Sequence, residues 1–396
     1  MKIVCAAMPG PGHAYPMLAV ARALASRGHE VVFASSGEHA AEAARAGCAS
    51  EALPLTEGSP VDALRPYLDS ENLARAFAPA VARHAPDVMV VDLLTLGAAL
   101  AAEMNGVPFA SLVIHGLHLP SRDLMPFGYG ADAGGRLGRW RARAMRRAAM
   151  KDLARARASL NASRGRLGLG PVDGVDGTLS PDLVLVATLP SLEPPRSDWP
   201  ANAHVIGPCL WEAAGPAPAD PPGDGPLVLV AASTAWSDER LVEAAIEACR
   251  SSGARAIVTA GKTEWAGDDD PAVTVVPFAS HDAVLARADA VICNGGHGIV
   301  ARSLSYGVPV VVLPGHGDQR ENGYRVERAG AGVRVLKPSG LPRALRSVLA
   351  TPSFRAAAGA IAREANGMNG PETAADLVLR LAERAGAAPG HGTQAR

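Results

Sequence analysis

Aromatic residues make up only 4% of this 396-residue chain, and cysteine occurs five times, as Cys5, Cys48, Cys209, Cys249 and Cys293, with no C-x-x-C pair. A scattered, odd set of thiols argues against a disulfide framework or a zinc site and fits a reducing compartment. No apolar run reaches the roughly 18–20 residues needed to span a bilayer, so no membrane span is expected. The chain opens directly on an apolar strand-like run, without a basic stretch before it, so no secretory signal and a cytoplasmic location are expected. Excess charge of either sign is lacking too: the net charge is −1 and the pI about 6.8. Nothing global therefore recommends nucleic acid as a partner.

What is present is an ordinary globular composition, 48% hydrophobic and 19% charged, in a chain long enough for two domains. Short β-branched runs alternate with helical patterns. "KIVCAA" reads as a strand and 16–28 as a helix; "HEVVFAS" is a strand and 37–46 a helix; "DVMVVD", a helix over 96–105 and "PFASLVI" follow. This alternation predicts a doubly wound parallel sheet. "LVLVATLP" and "HVIGPCLW" close the half.

Residues 212–226, "EAAGPAPADPPGDGP", have no periodicity and read as a linker. Beyond them the pattern restarts: "LVLVAAS", a helix over 238–252, "ARAIVTA", "VTVVPF", a short helix over 281–288, "DAVICNGG", a helix over 298–306, "PVVVLPG" and "AGVRV". The expected organisation is an α/β chain of two Rossmann-like domains. These are an N-terminal domain over 1–211 and a C-terminal domain over 227–370. A final helix is expected over 371–384, and a disordered tail over 385–396. Between 136 and 157 lie nine Arg or Lys and one acid, Asp152. They suggest an amphipathic helix pair with a solvated basic face, or a surface for an acidic partner, acceptor or membrane.

Two strand-to-helix turns carry the chemistry. The first, "MPGPGHAYP" (8–16), has two glycines, Gly10 and Gly12, three prolines and His13. A phosphate-binding turn accounts for the glycines and leaves the histidine unexplained. The second is Asn294, Gly295, Gly296, His297 and Gly298, followed by Ile299. Free backbone N–H groups and the positive end of a helix dipole converge at such a turn, and glycines let a diphosphate approach. Asn294 and His297 add side-chain donors, and Ile299 offers its backbone N–H. Asp318 and Gln319, about twenty residues on, supply a carboxylate and an amide suited to several sugar hydroxyls.

These residues resemble a known family. "ICNGGHGIVARSLSYGVPVVVLPGHGDQRENGYRVERAGAGVRV" is similar to the donor-binding signature of nucleotide-sugar-dependent glycosyltransferases of the GT-B fold, in the bacterial natural-product and macrolide-type branch of the UDP-glycosyltransferase superfamily. "GPGHAYPMLAVARALASRGHEVVFAS", "VVDLLTLGAALAAEMNGVP" and "VIGP" extend the resemblance over most of the chain. It implies two domains facing across a cleft, with the final helix packing back toward the first, and an inverting hexosyl transfer from a UDP- or TDP-sugar, with the nucleotide sugar as co-substrate and no metal or other cofactor. His13 would be the general base and Asp92 its orienting carboxylate. Ser233, Thr234, Gly12 and the 294–299 turn would meet the donor phosphates, and Asp318 and Gln319 the sugar. Three departures concern the donor turn: many members have His where Asn294 stands, often a small residue where His297 stands, and Thr or Ser at Ile299.

The acceptor pocket is expected in N-domain loops, roughly 55–80 and 115–150, with Leu117, Leu119, Met125, Phe127 and Trp140 as an apolar lining for a small lipophilic alcohol or phenol. A homodimer is left open. An NAD-dependent oxidoreductase fits poorly, because the first turn lacks the third glycine of G-x-G-x-x-G. "GDDDP" (267–271) lies in a loop between strands and is not read as a metal motif. A sugar-nucleotide epimerase on the same fold and a non-catalytic, glycosyltransferase-like partner protein are the alternatives.

Overall fold

A computed structural model describes residues 1–53, 70–131, 134–174, 177–213, 215–232, 238–265, 270–315 and 317–387. Its first half runs β1 (Lys2–Ala6), α1 (Pro11–Ser26), β2 (Glu30–Ser35), α2 (Ala40–Arg45), β3 (Ala49–Ala52), α3 (Ser70–His84), β4 (Val88–Asp92), α4 (Leu96–Met104), β5 (Phe109–Val113), α5 (Gly135–Arg166), β6 (Val184–Val186) and β7 (Ala203–Val205). The second half runs β8 (Leu227–Ala231), α6 (Glu239–Ser251), β9 (Arg255–Thr259), β10 (Val273–Val276), α7 (His281–Leu285), β11 (Ala290–Cys293), α8 (His297–Ser305), β12 (Val310–Val312), α9 (Gln319–Arg328), β13 (Gly332–Arg334), α10 (Leu341–Ala350), α11 (Pro352–Asn366) and α12 (Gly370–Ala387).

The strands form two sheets, in orders β3-β2-β1-β4-β5-β6-β7 and β10-β9-β8-β11-β12-β13. The pairings of the central strands are parallel in both sheets. The central strands read as unbroken apolar runs because helices cover both faces: β4, β5 and β8 are buried along their whole length. In each sheet the order reverses between two neighbours, β1 and β4 in the first and β8 and β11 in the second. Such switch points open a crevice at the carboxyl ends of the strands.

The last helix belongs to the first domain by its packing. Ala374, Ala375, Val378, Leu381 and Ala382 join one buried cluster with Met17, Leu18, Ala21 and Leu24 of α1. Full burial of each larger apolar side chain there contributes about 1.5–3 kcal/mol. Arg27 clasps Glu372 at 2.6 Å and Asp376 at 2.7 Å on the same seam. The chain therefore crosses between domains twice, and the crossings touch. A Cβ on Gly370 would lie 2.6 Å from the carbonyl oxygen of Pro208, so only glycine fits.

The structure differs from the sequence reading in four places. The basic segment is one continuous helix, α5, of 32 residues rather than a helix pair. No proline interrupts it, and alanines separate its arginines. Strand β3, "ASEA", has no strand-like pattern and was not expected; it pairs with β2 at the sheet edge. Within 55–80, residues 55–69 lie outside the described set, and the remainder is helix α3 rather than loop. Helix α12 runs on to Ala387, so 385–387 are helical, while 388–396 lie outside the described residues. Ser233, Thr234 and most of "GDDDP" also lie outside them.

Candidate active site

Helix α1 begins at Pro11, with Gly10 as its N-cap and proline at its first position. A first-turn proline costs nothing there, because its missing N–H would have no intrahelical partner. This places His13 in the first turn, just past the carboxyl end of β1. Asp92 is the last residue of β4, the neighbour of β1. Both therefore sit at the switch point of the first sheet.

The His13 Nδ1 lies 2.8 Å from Asp92 Oδ1. A carboxylate can only accept, so Nδ1 carries the proton and Nε2 is left as the basic nitrogen. The second Asp92 oxygen accepts from the Leu94 N–H and the Thr95 hydroxyl, each at 3.2 Å. The carboxylate is fully buried and fixed at both ends, whereas the imidazole keeps 19% of its side-chain surface exposed. Burial alone would lower the His13 pKa. The charge and hydrogen bond of Asp92 outweigh it, with help from the Asp318 carboxylate, and the net shift is upward from 6.5.

The influence of Asp318 shows that the second domain brings its own charge to this place. Asp318 follows β12, and the glycine turn follows β11, at the switch point of the second sheet. Burial raises the Asp318 pKa against the opposing effects of Asn322, its own backbone N–H, His13 and Arg325.

The glycine turn has φ +88° at Gly295, and a Cβ there would lie 2.7 Å from a Val312 methyl and 2.9 Å from the Gln319 carbonyl oxygen. Glycine is thus demanded by packing and backbone. At Gly12 and Gly298 a Cβ would meet no protein atom within 4 Å. These two are glycines at an open face, where an absent side chain leaves room for a ligand. The first N–H groups of α8, on His297, Gly298 and Ile299, have no intrahelical acceptor. They converge with the positive end of the helix dipole.

The side chains of the turn behave differently from the reading of the sequence. Asn294 Oδ1 accepts from the Gly296 N–H at 3.1 Å, shaping the turn. His297 is turned away from it: its Nε2 donates to the Ala187 carbonyl of the first domain at 3.1 Å, and it is 8% exposed. Burial first, then the Arg325 charge, lowers its pKa to about 4. It is a neutral strut between domains rather than a phosphate donor. Ile299 packs against the apolar core of the second domain. Gln319 is buried, and its Oε1 accepts from the Gly315 N–H at 2.8 Å.

The apolar acceptor lining is not assembled as expected. Leu117 is 2% exposed and packs with Val113, Leu179 and Val186, with Leu119 against the same cluster, so these two serve the domain core. Trp140 projects from α5 with 67% exposed. Met125 is half-buried. Phe127 alone has an interdomain role: it stacks on His115 at 4.8 Å between centroids, and the Arg325 guanidinium lies 5.6 Å from its ring.

Arg325 was not foreseen. It is buried, reaching Glu193 of the first domain at 2.8 Å and Glu321 at 3.1 Å. Asn322 was missed as well. Its only sequence signal was its position four residues after Asp318, one helical turn along α9. A cavity of about 510 Å³ lies elsewhere, between Arg22, Arg45, Glu212, Asp282, Arg302 and Tyr306 near the linker. Among the described residues no group of three or more His, Cys, Asp or Glu could hold a metal ion. Nor is any helix long and apolar enough to cross a membrane.

Comparison with known proteins assigns this arrangement. Residues 255–381 match the family model described as "Erythromycin biosynthesis protein CIII-like, C-terminal domain". The whole chain is similar to 4'-demethylrebeccamycin synthase of Lentzea aerocolonigenes, at 31% identity over 96% of this chain and 99% of that protein. The chain belongs to the natural-product glycosyltransferases. It is also similar to O-mycaminosyltylonolide 6-deoxyallosyltransferase of Streptomyces fradiae, 28% identical over 97% of this chain and 98% of that one. Among solved structures it resembles the glycosyltransferase of kitacinnamycin, with a TM-score of 0.78, 25% identity, and coverage of 96% of this chain and 98% of that chain. The two parallel-sheet domains of this glycosyltransferase are thus those of the GT-B fold, as the sequence resemblance implied.

Proposed function

We propose that this glycosyltransferase moves a hexosyl group from a UDP- or TDP-sugar to a hydroxyl of a small lipophilic natural product, inverting the anomeric centre and using no metal. The observation that carries the reading is the His13–Asp92 pair at one switch point, within the field of Asp318 beside the other. His13 Nε2 takes the acceptor proton as the hydroxyl oxygen attacks the anomeric carbon. An alcohol is a poor nucleophile until such a base is within reach. Buried Asp92 fixes the tautomer and stabilises the imidazolium that forms. The bond from the anomeric carbon to the diphosphate oxygen breaks on the opposite face, and the electron pair leaves with the diphosphate. The free N–H groups and dipole of α8 offset the charge that develops there. Asp318 accepts from sugar hydroxyls.

An epimerase would need acid–base groups at the sugar ring, whereas His13 is paired with Asp92 in the other domain. Thermal stability with UDP, TDP, GDP and NAD, each with and without magnesium, tests the reading. A ligand at a hundred times its Kd stabilises a fold by roughly 2.7 kcal/mol. The expected result is a rise with UDP or TDP that magnesium does not change. A rise with NAD alone would overturn it.

A further inference from the structure

Asn322 is 2% exposed, one helical turn beyond Asp318. Its Nδ2 donates to Asp318 Oδ2 at 2.7 Å and to the Gly295 carbonyl at 2.9 Å. Both partners can only accept, so the amide has one orientation, with its nitrogen toward them. One buried amide thus joins the candidate sugar-binding carboxylate to the backbone of the candidate diphosphate turn.

The Gly295 contact has a consequence for the turn. The peptide joining Gly295 to Gly296 is planar, so its carbonyl and N–H point to opposite edges. Asn322 holds the carbonyl edge and Asn294 Oδ1 holds the N–H edge at 3.1 Å. Glycine stands on both sides of this peptide, so no Cβ restricts its orientation.

We propose that Asn322 is a positioning residue for sugar transfer, holding the Asp318 carboxylate in fixed register with the 294–298 turn so that sugar and diphosphate are gripped together with the anomeric carbon aimed at His13. The proposal rests on the reading of Asp318 as the sugar-binding group. Its physical basis is the sensitivity of group transfer to alignment: a displacement of about 1 Å can cost on the order of 10²-fold in rate. Without Asn322, Asp318 also loses the hydrogen bond that favours its charged form in a buried setting.

The test compares wild type, Asn322→Ala, Asn322→Asp and Asp318→Ala. Three quantities are measured: Tm, the Kd of UDP and TDP, and nucleoside diphosphate release from UDP-glucose and TDP-glucose with a phenolic acceptor across pH. The expected result for Asn322→Ala is a fall in donor kcat/KM of about 30–100-fold, with nucleoside diphosphate affinity changed far less. Asn322→Asp places a second carboxylate against Asp318. The pair must share a proton to restore the hydrogen bond, so its activity relative to wild type should climb as pH falls. A merely structural role would not give that trend. Equal losses in nucleotide affinity and donor kcat/KM, or a variant-to-wild-type ratio flat in pH, would overturn the proposal. If Asp318→Ala is impaired while Asn322→Ala is not, only the positioning role fails. If Asp318→Ala is unimpaired, or wild type turns over neither donor, the parent reading fails and takes this one with it.

Discussion

The Nδ1 of His13 and the Oδ1 of Asp92 lie 2.8 Å apart, although 79 positions separate the two residues. The switch point brings them together: β1 and β4 are hydrogen-bonded neighbours, paired from Ile3–Val88 to Ala6–Val91. A histidine one turn into the helix after β1 and an aspartate closing β4 must then meet over the same crevice. The Thr95 hydroxyl and Leu94 N–H stop the carboxylate from rotating away. An imidazole so held needs no rearrangement before it can take a proton.

Removing the base should therefore separate chemistry from binding. We predict that His13→Ala lowers kcat by about 10²–10⁴-fold, the usual contribution of a positioned general base. Affinity for UDP or TDP should change only a few-fold, because the free N–H groups of α8 lie in the other domain. Steady-state kinetics and calorimetry on the same preparation check this. Full turnover by the variant would remove His13 from the mechanism.

The sign of the His13 shift makes a second prediction. The pKa of its imidazole is raised from 6.5, Asp92 and Asp318 having outweighed burial. Only the neutral ring can accept a proton, so kcat/KM should rise with pH and level off above a pKa greater than 6.5. Asp92→Asn deletes the charge that holds the pKa up. The rising limb should move to lower pH, while the plateau drops because the tautomer is no longer fixed. A pH–rate profile that keeps its midpoint in the variant would contradict this.

Why some of this could be read from the sequence and some could not comes down to the range of the forces involved. The central strands were legible because β4, β5 and β8 are buried on both faces and so must be continuously apolar. The second glycine turn was legible because Gly295, at φ +88°, admits no side chain, and the first because its proline and glycines mark a helix start. Strand β3 was not, because an exposed edge strand is held by its pairing with β2 rather than by its own side chains. Leu117 and Leu119 look the same in sequence whether they line a pocket or a core, and only the packing of β6 and β7 decides. His297 was read as a phosphate donor because its neighbours are glycines. Its actual partner is Ala187, 110 positions away, which no local pattern reveals.

That buried strut has a thermodynamic consequence. Burial and the Arg325 charge hold the His297 pKa at about 4 in the folded protein, against 6.5 for a free ring. Between those values the unfolded chain binds a proton that the native state refuses, so stability must fall as pH drops from about 6.5 to 4. The full effect is roughly 3 kcal/mol. His13 acts in the opposite sense: its raised pKa gives stability that is fully present below 6.5 and is lost as pH rises through the folded value. His297→Gln keeps a donor for Ala187 but cannot titrate. Denaturation midpoints at pH 7.5 and 5 should therefore differ less in the variant than in wild type. Equal acid sensitivity in both would show that His297 is not the source.

The glycines of the site divide into two kinds, and alanine should tell them apart. At Gly295 a methyl group would be forced against Val312 and the Gln319 carbonyl, at a backbone angle of φ +88°. Gly295→Ala should therefore lower Tm as well as donor binding, because relieving the contact must move β12 or α9 and with them Asp318. At Gly298 the same methyl meets no protein atom within 4 Å, and the backbone has no positive φ. Gly298→Ala should leave Tm of the free protein unchanged or slightly higher, since alanine favours helix by about 1 kcal/mol over glycine. If a diphosphate lies against the N-terminus of α8, the added methyl occupies its place, and affinity for UDP or TDP should fall at least tenfold. The informative comparison is thus Tm without ligand against the ligand-induced rise in Tm. A Gly298→Ala protein with both unchanged would place the diphosphate away from this helix, since no other use for the space at Gly298 would then be affected by filling it.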